Sequence, residues 1–360
     1  MKKKVCFIAQ FPPPIHGLSK AVETLYNSDL QEMFDFERVD ITNNKRFISN
    51  LIKIGRIKAD LFYFTISQTK GGNIRDLIIF KLLEMQKKRC LIHLHGGYYR
   101  HLVDNDLCTW QRKANYRAIR KLAGAIVLGP SLKHIFQGMI DPEKILTVPN
   151  CVDDAYLMSD KEFEEKLCLL KERRIKHVLY LSNFIKSKGF PEVLEMARIE
   201  KNRVESGKDK IYHFDFAGSF FGKEEEEYFW QYIKDNKLDA FITYHGVVTG
   251  DEKRKLLKSS DIFVLLTRYP KEGQPISILE AMGNGMVIVT TNHAGIPDIV
   301  TDGENGLVFE LSSAIDMTEV MKRLRRIDYV AYMKAGRNAI KTKFRESNYI
   351  SVFSSVFSKL

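Results

Sequence analysis

The chain has 360 residues, 44% apolar and 28% charged, with a formal net charge of +11. That balance belongs to a globular protein long enough for two cores, and it excludes an intrinsically disordered chain. No apolar run reaches the roughly 18–20 residues of a membrane span, and five scattered cysteines (Cys6, Cys90, Cys108, Cys151, Cys168) without a C-x-x-C pair exclude a disulfide framework and a thiolate zinc site.

The thiols are therefore expected reduced, in the cytoplasm. The first residues, "MKKKVCFIAQFPPPIHG", set three lysines before an apolar run. The run at 5–9 is too short for a secretory signal and is followed by prolines 12–14, so it reads as a first β-strand. Further strands are expected at "ADLFYFTIS", "CLIHLHG", "GAIVLGP" and "ILTVPN". After them come "HVLYLS", "YHFDFAGS", "FITYHG", "DIFVLLT", "MVIVTT" and "GLVFE". Amphipathic stretches such as 76–88, 110–122 and 191–202 alternate with them. Near-continuous apolar strands separated by helices predict parallel sheets covered on both faces.

The rhythm breaks at 153–176, a strongly charged stretch with no strand pattern. A junction there gives an N-terminal domain over 1–155 and a C-terminal domain over 175–345. A last helix, 346–360, is expected to pack back on the first domain. The predicted fold is α/β, two Rossmann-like doubly wound domains facing each other across a cleft, with ligands outside the carboxyl ends of the strands. Residues 1–150 carry 24 basic and 13 acidic side chains, whereas 151–360 carry 32 of each, so the positive excess belongs to the first domain.

"EGQPISILEAMGNG" holds two carboxylates, Glu272 and Glu280, eight positions apart. A helix is expected to open at Pro275, directly after Gly273 and Gln274. The helix N-terminus at Pro275, Ile276 and Ser277, with the unpaired N–H groups that follow the proline and the positive end of the helix dipole, forms an anion site suited to a diphosphate. Ile276, Leu279 and Met282 are expected to form the buried stripe beside Glu280. A carboxylate among apolar neighbours is costly to bury unless its oxygens are satisfied, and two vicinal ribose hydroxyls would do so. The plainer alternative makes Glu272 a dipole partner and Glu280 a surface residue. His95, in "HLHGG", lies nearest the carboxyl end of its strand, whereas His93 lies deeper and reads as a core residue. Two histidines so spaced in a strand, with no carboxylate or thiol nearby, make a poor metal site. Gly17, closing "FPPPIHG", serves either as an ordinary turn residue or to admit a close backbone approach by a ligand.

The Glu-x7-Glu segment followed by "GIPDIVTDGENGLVFE" resembles the nucleotide-side signature of the "group 1" family of retaining GT-B glycosyltransferases (glycosyltransferase family 4-like). The variant "EGQPISILEAM" is most similar to members that build bacterial surface polysaccharides. The resemblance spans nearly the whole chain, through "PPPIHGLS", "HLHGG", "VPNCVD", "LSNFIKSKGF", "FAGS" and "YHGVV". It implies that Lys188 neutralises the donor pyrophosphate, that His95 and Glu272 act at the transferred sugar, and that Glu280 holds the ribose. It also implies that Gly17 lines the ligand loop and that the backbone at Val247 and Val248 flanks the base. Asn183 stands where the family has an arginine, so one phosphate cation is either absent or supplied by Lys186 or Arg268.

The implied reaction transfers a hexose or N-acetylhexosamine, with retention and without a metal or other cofactor. The implied donor is a nucleotide sugar, UDP preferred to GDP, and the acceptor a lipid-linked saccharide of O-antigen or capsule synthesis. Such an enzyme would work peripherally at the cytoplasmic membrane face. The helix around "WQRKANYRAIRK" would offer Arg112, Lys113, Arg117, Arg120 and Lys121 to anionic lipid, with Trp110 as an anchor. Two other classes fit parts of the sequence. One is a nucleotide-sugar epimerase or hydrolase on the same fold. The other is a basic nucleic-acid-binding protein, although no recognised module for specific nucleic acid is present.

Overall fold

The computed structural model describes residues 2–13, 17–311 and 315–360. It divides into two compact units. Unit 1 contains residues up to Cys151, the segment Pro270–Gln274 and Glu346–Leu360, while unit 2 contains Val152–Tyr269 and Pro275–Arg345.

Unit 1 is built on six parallel strands. They are β1 (Lys3–Ala9), β2 (Phe34–Asp40), β3 (Leu61–Thr65), β4 (Cys90–His93), β5 (Gly124–Val127) and β6 (Ile145–Thr147), in the spatial order β2-β1-β3-β4-β5-β6. The inner strands are apolar at nearly every position, as a sheet covered on both faces requires. β2 is the one strand that sequence patterning missed. It lies at the sheet edge, and in "FDFERVD" only Phe34 and Val39 are buried, so the apolar run that marks the others is absent. On one face, Phe7, Tyr63 and Leu91 share a core with Phe353 and Phe357 of the terminal helix Glu346–Lys359. The helices Phe47–Arg56, Lys70–Met85 and Thr109–Ile119 pack side by side.

Unit 2 repeats the plan with β7 (Lys176–Leu181), β8 (Tyr212–Ala217), β9 (Ile242–Tyr244), β10 (Ile262–Leu265), β11 (Val287–Thr291) and β12 (Gly306–Phe309). Their order, β12-β11-β10-β7-β8-β9, is that of a doubly wound parallel sheet. The charged stretch at 153–176 forms the helix Asp160–Glu172, opened by a capping box between Ser159 and Glu162, and it belongs to unit 2. No helix among the described residues is long and apolar enough to cross a membrane.

Candidate active site

In unit 2 the candidate residues follow the carboxyl ends of neighbouring strands. After β7 the chain passes Asn183 and makes a single turn, Lys186–Lys188, before the helix Phe190–Glu205. Gly189 makes that turn with φ +89°, and a Cβ there would stand 2.7 Å from the Leu266 carbonyl oxygen after β10. Only glycine fits, and the Lys188 loop is thereby held against the β10 loop. The Lys188 ammonium lies 5.2 Å from the centre of the Tyr269 ring. Asn183 is exposed and accepts a hydrogen bond from the Ser219 hydroxyl at 3.1 Å. Of the two cations considered as substitutes for the family arginine, Lys186 is paired with Glu224 and Arg268 with Glu192. After β9, Val247 is exposed and Val248 half-buried, and the helix Gly250–Ser259 follows at once.

The helix Ile276–Gly283 follows β10, with Pro275 as its extended N-cap residue, whose side chain makes no capping hydrogen bond. Glu280 is buried, not a surface residue. Burial raises its pKa above the usual carboxylate range, an effect opposed by Lys253 and reinforced by Asp153. Lys253, from the helix Gly250–Ser259, donates to Glu280 Oε1 at 2.6 Å and lies 4.6 Å from the centre of the Tyr156 ring. The sequence reading missed this lysine, one of several on a polar helix. The buried stripe also differs from expectation: Ile278, Leu279, Ala281 and Met282 are enclosed, while Ile276 and Ser277 are only half-buried. Every residue from Ile278 to Gly283 is buried, and only the first turn of this short helix is partly exposed.

The far end of the same helix is anchored by cations. The Arg337 guanidinium donates to the Gly283 carbonyl at 2.7 Å, and Lys166 Nζ donates to the Asn284 carbonyl at 2.8 Å and to that of Ser260. These donors satisfy carbonyls left over at a helix C-terminus and suit its negative dipole end. Burial lowers the Lys166 pKa to about 7, with Asp261 opposing the shift and Arg173 adding to it. A neutral amine retains two N–H donors, as many as the two carbonyls require.

The other candidates lie in unit 1. His95 is half-buried, two residues beyond β4, with its ring centre 3.9 Å from that of His93. His93 is a core residue: its Nδ1 is 2.6 Å from the Tyr63 hydroxyl, and burial, then the proximity of His95, lowers its pKa well below the usual value. Glu272, Gly273 and Gln274 are buried in unit 1, although the flanking sequence belongs to unit 2. A Cβ on Gly273 would stand 2.5 Å from the His95 carbonyl oxygen, so glycine brings this segment directly against the strand end. Gln274 secures it, accepting from the Asn150 backbone N–H at 2.8 Å, while the Asn150 amide donates to the Gln274 carbonyl at 2.8 Å. The sequence-predicted signature is thus shared: Glu272 joins His95, and Glu280 joins the Lys188 unit. Gly17 is exposed and begins the helix Gly17–Tyr26, while residues 14–16 of the same motif lie outside the described residues. Among the described residues, no group of three or more His, Cys, Asp or Glu side chains is placed to hold a metal ion.

Two parallel Rossmann-like units of this order define the GT-B class. The HepE protein of Anabaena, solved in complex with UDP, aligns with a TM-score of 0.73 over 99% of this chain and 100% of its own, at 14% identity. Residues 162–342 match the family described as glycosyl transferases group 1, and the chain belongs to that family. An uncharacterized 41.2 kDa protein in the cps region of Klebsiella pneumoniae is 20% identical over 300 residues, 81% of this chain and 76% of that protein. The amylovoran biosynthesis glycosyltransferase AmsK of Erwinia amylovora is 25% identical over 175 residues, 47% of this chain and 41% of that protein.

Proposed function

We propose that the protein is a retaining, metal-independent glycosyltransferase of bacterial surface-polysaccharide assembly, O-antigen or capsule. It would move a hexose or N-acetylhexosamine from a nucleotide sugar, UDP favoured, to a lipid-linked saccharide at the cytoplasmic membrane face. The observation that carries this reading is the buried Glu280 on a short helix with an uncapped first turn, in the same unit as Lys188. Glu280 would bind the ribose hydroxyls, with Lys253 favouring its charged form against the effect of burial. Lys188 and the backbone N–H groups of Ile276 and Ser277, which follow Pro275, would take the diphosphate, with Asn183 and Val247 bordering the donor. His95 and Glu272 would act on the transferred sugar. An acceptor hydroxyl oxygen would bond to the anomeric carbon as its bond to the diphosphate breaks, and the hydroxyl proton would pass to the departing phosphate on the same face. The protein's contribution is then orientation and stabilisation of the developing phosphate charge.

The UDP complex of HepE supports the choice of donor base by analogy of fold. The AmsK and cps-region relatives support the choice of pathway. The test is thermal unfolding against a panel of nucleotide sugars, followed by product analysis in excess chelator. A UDP-sugar should raise the melting temperature and yield an α-linked product from an α-linked donor. A shift only with GDP-sugars would overturn the donor, an inverted anomer would overturn retention, and activity dependent on added magnesium or manganese would overturn metal independence.

A further inference from the structure

The helix Phe47–Arg56 has its apolar residues on the wrong side for a soluble surface. Only Ile54 is fully buried, whereas Ile48 and Ile52 face solvent. Beside it, Ile74, Ile78 and Met85 of the helix Lys70–Met85 are also exposed, and so is Trp110 at the start of the helix Thr109–Ile119. Exposure of these residues ranges from 41% at Ile78 to 70% at Met85. Leu51, Ile52, Ile74, Ile78, Met85 and Trp110 line one groove of about 610 Å³, in which Lys81 is the only charged side chain. Contiguous exposed apolar surface of this kind marks a contact site.

The groove's flanks indicate the occupant. On one side Ile52 is shared with a depression of about 480 Å³ that holds Lys53, Arg56 and Lys58, together with Lys4, which is paired with Glu37 and Asp35. On the other side, the Trp110 helix carries Arg112, Lys113, Arg117 and Arg120 into a depression of about 810 Å³, with Lys121 and one carboxylate, Asp104. Lys121 is partly committed to Glu84. The groove walls are fastened from beneath. Asn73 and Asn115, both fully buried, exchange amide hydrogen bonds of 2.9 and 3.0 Å between the two helices, and the Tyr99 hydroxyl donates to Asn115 at 2.7 Å. Apolar side chains are therefore displayed on a rigid base between two cationic banks.

We propose that this groove is where the protein enters an anionic lipid bilayer, with Ile52, Ile78, Met85 and Trp110 in the acyl boundary and both basic banks on the headgroup phosphates. An apolar strip bracketed by cations matches the layering of such a surface, apolar below and anionic above. A second copy of this chain would meet the same cations and be repelled by them. The proposal deepens the peripheral-membrane reading given above. It moves the anchor from one basic helix to a three-helix groove, in which Trp110 is one of several inserted side chains.

The experiment uses the full chain carrying Trp230→Phe, so that Trp110 is the sole tryptophan, with vesicles of phosphatidylglycerol or phosphatidylcholine. Binding should need phosphatidylglycerol, and a fraction should survive high salt. Trp110 emission should shift to the blue and be quenched by brominated acyl chains. Ile52→Gln combined with Ile78→Gln should weaken partitioning by roughly tenfold or more and abolish the salt-resistant fraction. Arg112→Glu, Lys113→Glu and Arg117→Glu together should abolish the salt-sensitive fraction. Unchanged partitioning by the Ile52/Ile78 variant, with Trp110 remaining in water, would overturn the groove while leaving basic-face docking intact. Absence of vesicle binding, with self-association lost in that variant, would assign the groove to a second copy and overturn the proposal. The melting shift with nucleotide sugars, measured on the same variants, should be unchanged. Its absence in every form would count against the donor assignment alone.

Discussion

The two units share one strand plan and use their charged residues in opposite ways. Unit 1 mostly displays its charges: nine basic residues line two surface depressions, and the polar groups inside the unit are mostly neutral, such as Asn73, Asn115 and His93, with Asp76 and Glu272 as its buried carboxylates. Unit 2, from a balanced complement of charges, buries Lys166, Glu200, Asp261, Glu280 and Arg337. Burying such groups is tolerated only with partners. Three of them converge on one eight-residue helix, with Glu280 within it and Arg337 and Lys166 bonded at its end. The difference separates two tasks. A surface that meets a large charged partner needs exposed cations, whereas a pocket that must hold a small polar ligand needs a helix fixed from behind.

The comparison breaks most readily at the donor residues. Lys188→Ala and Glu280→Gln should each lower transfer by roughly tenfold to a thousandfold, and each should remove the melting shift given by the nucleotide sugar. His95→Ala and Glu272→Gln should lower transfer while leaving that shift in place. If both pairs behave alike in the melting assay, the division of labour between units is wrong.

A smaller effect is expected from two glycines. Gly189→Ala, forced into φ +89° and against the Leu266 carbonyl, should cost ~1–3 kcal/mol in denaturant unfolding and weaken donor binding. Gly273→Ala meets the His95 carbonyl instead. It should reduce turnover with donor binding retained, as titration with UDP would show.

A last effect is a pH dependence. Folded Lys166 loses its proton near pH 7 and unfolded lysine near 10.5, so between those values the unfolded chain holds the extra proton. Stability supplied by this residue must therefore rise with pH across that window. Near pH 7, Lys166→Met should be less stable by ~1–3 kcal/mol for the two carbonyls left without this donor. The gap to the parent protein should widen from pH 7 towards 10. A constant gap would show that the amine is not buried as described.

Eleven of the twelve described strands were legible as apolar runs, because strands inside a covered parallel sheet have no polar face to disguise them. β2 was not legible, since an edge strand is free to carry charge on its open side. Glu280 could be read as a buried carboxylate from Leu279 and Met282 beside it. Its partner could not, because Lys253 is 27 positions away and identical in type to its neighbours Lys255 and Lys258. The assignment of Glu272–Gln274 to unit 1 was also invisible. That depends on Gly273 fitting against His95 and on Gln274 bonding to Asn150, and neither contact leaves a periodic trace. The expected stripe through Ile276 failed for a related reason. Periodicity assumes one buried face, and a short helix enclosed on nearly all sides has none to display.

The unit that begins the chain is also the last to be completed. Phe353 and Phe357 arrive with Glu346–Leu360, after the whole of unit 2, and they fill the core in which Phe7, Phe34 and Tyr63 meet. At roughly 5–20 residues per second, a ribosome would release all of unit 2 before that core could close. Until then its aromatic floor would lie open to chaperones or to other nascent chains. A stop codon just after Arg345 would leave unit 2 whole and unit 1 permanently unsealed, and a domain chimera would need to carry Pro270–Gln274 and the terminal helix along with residues 1–151.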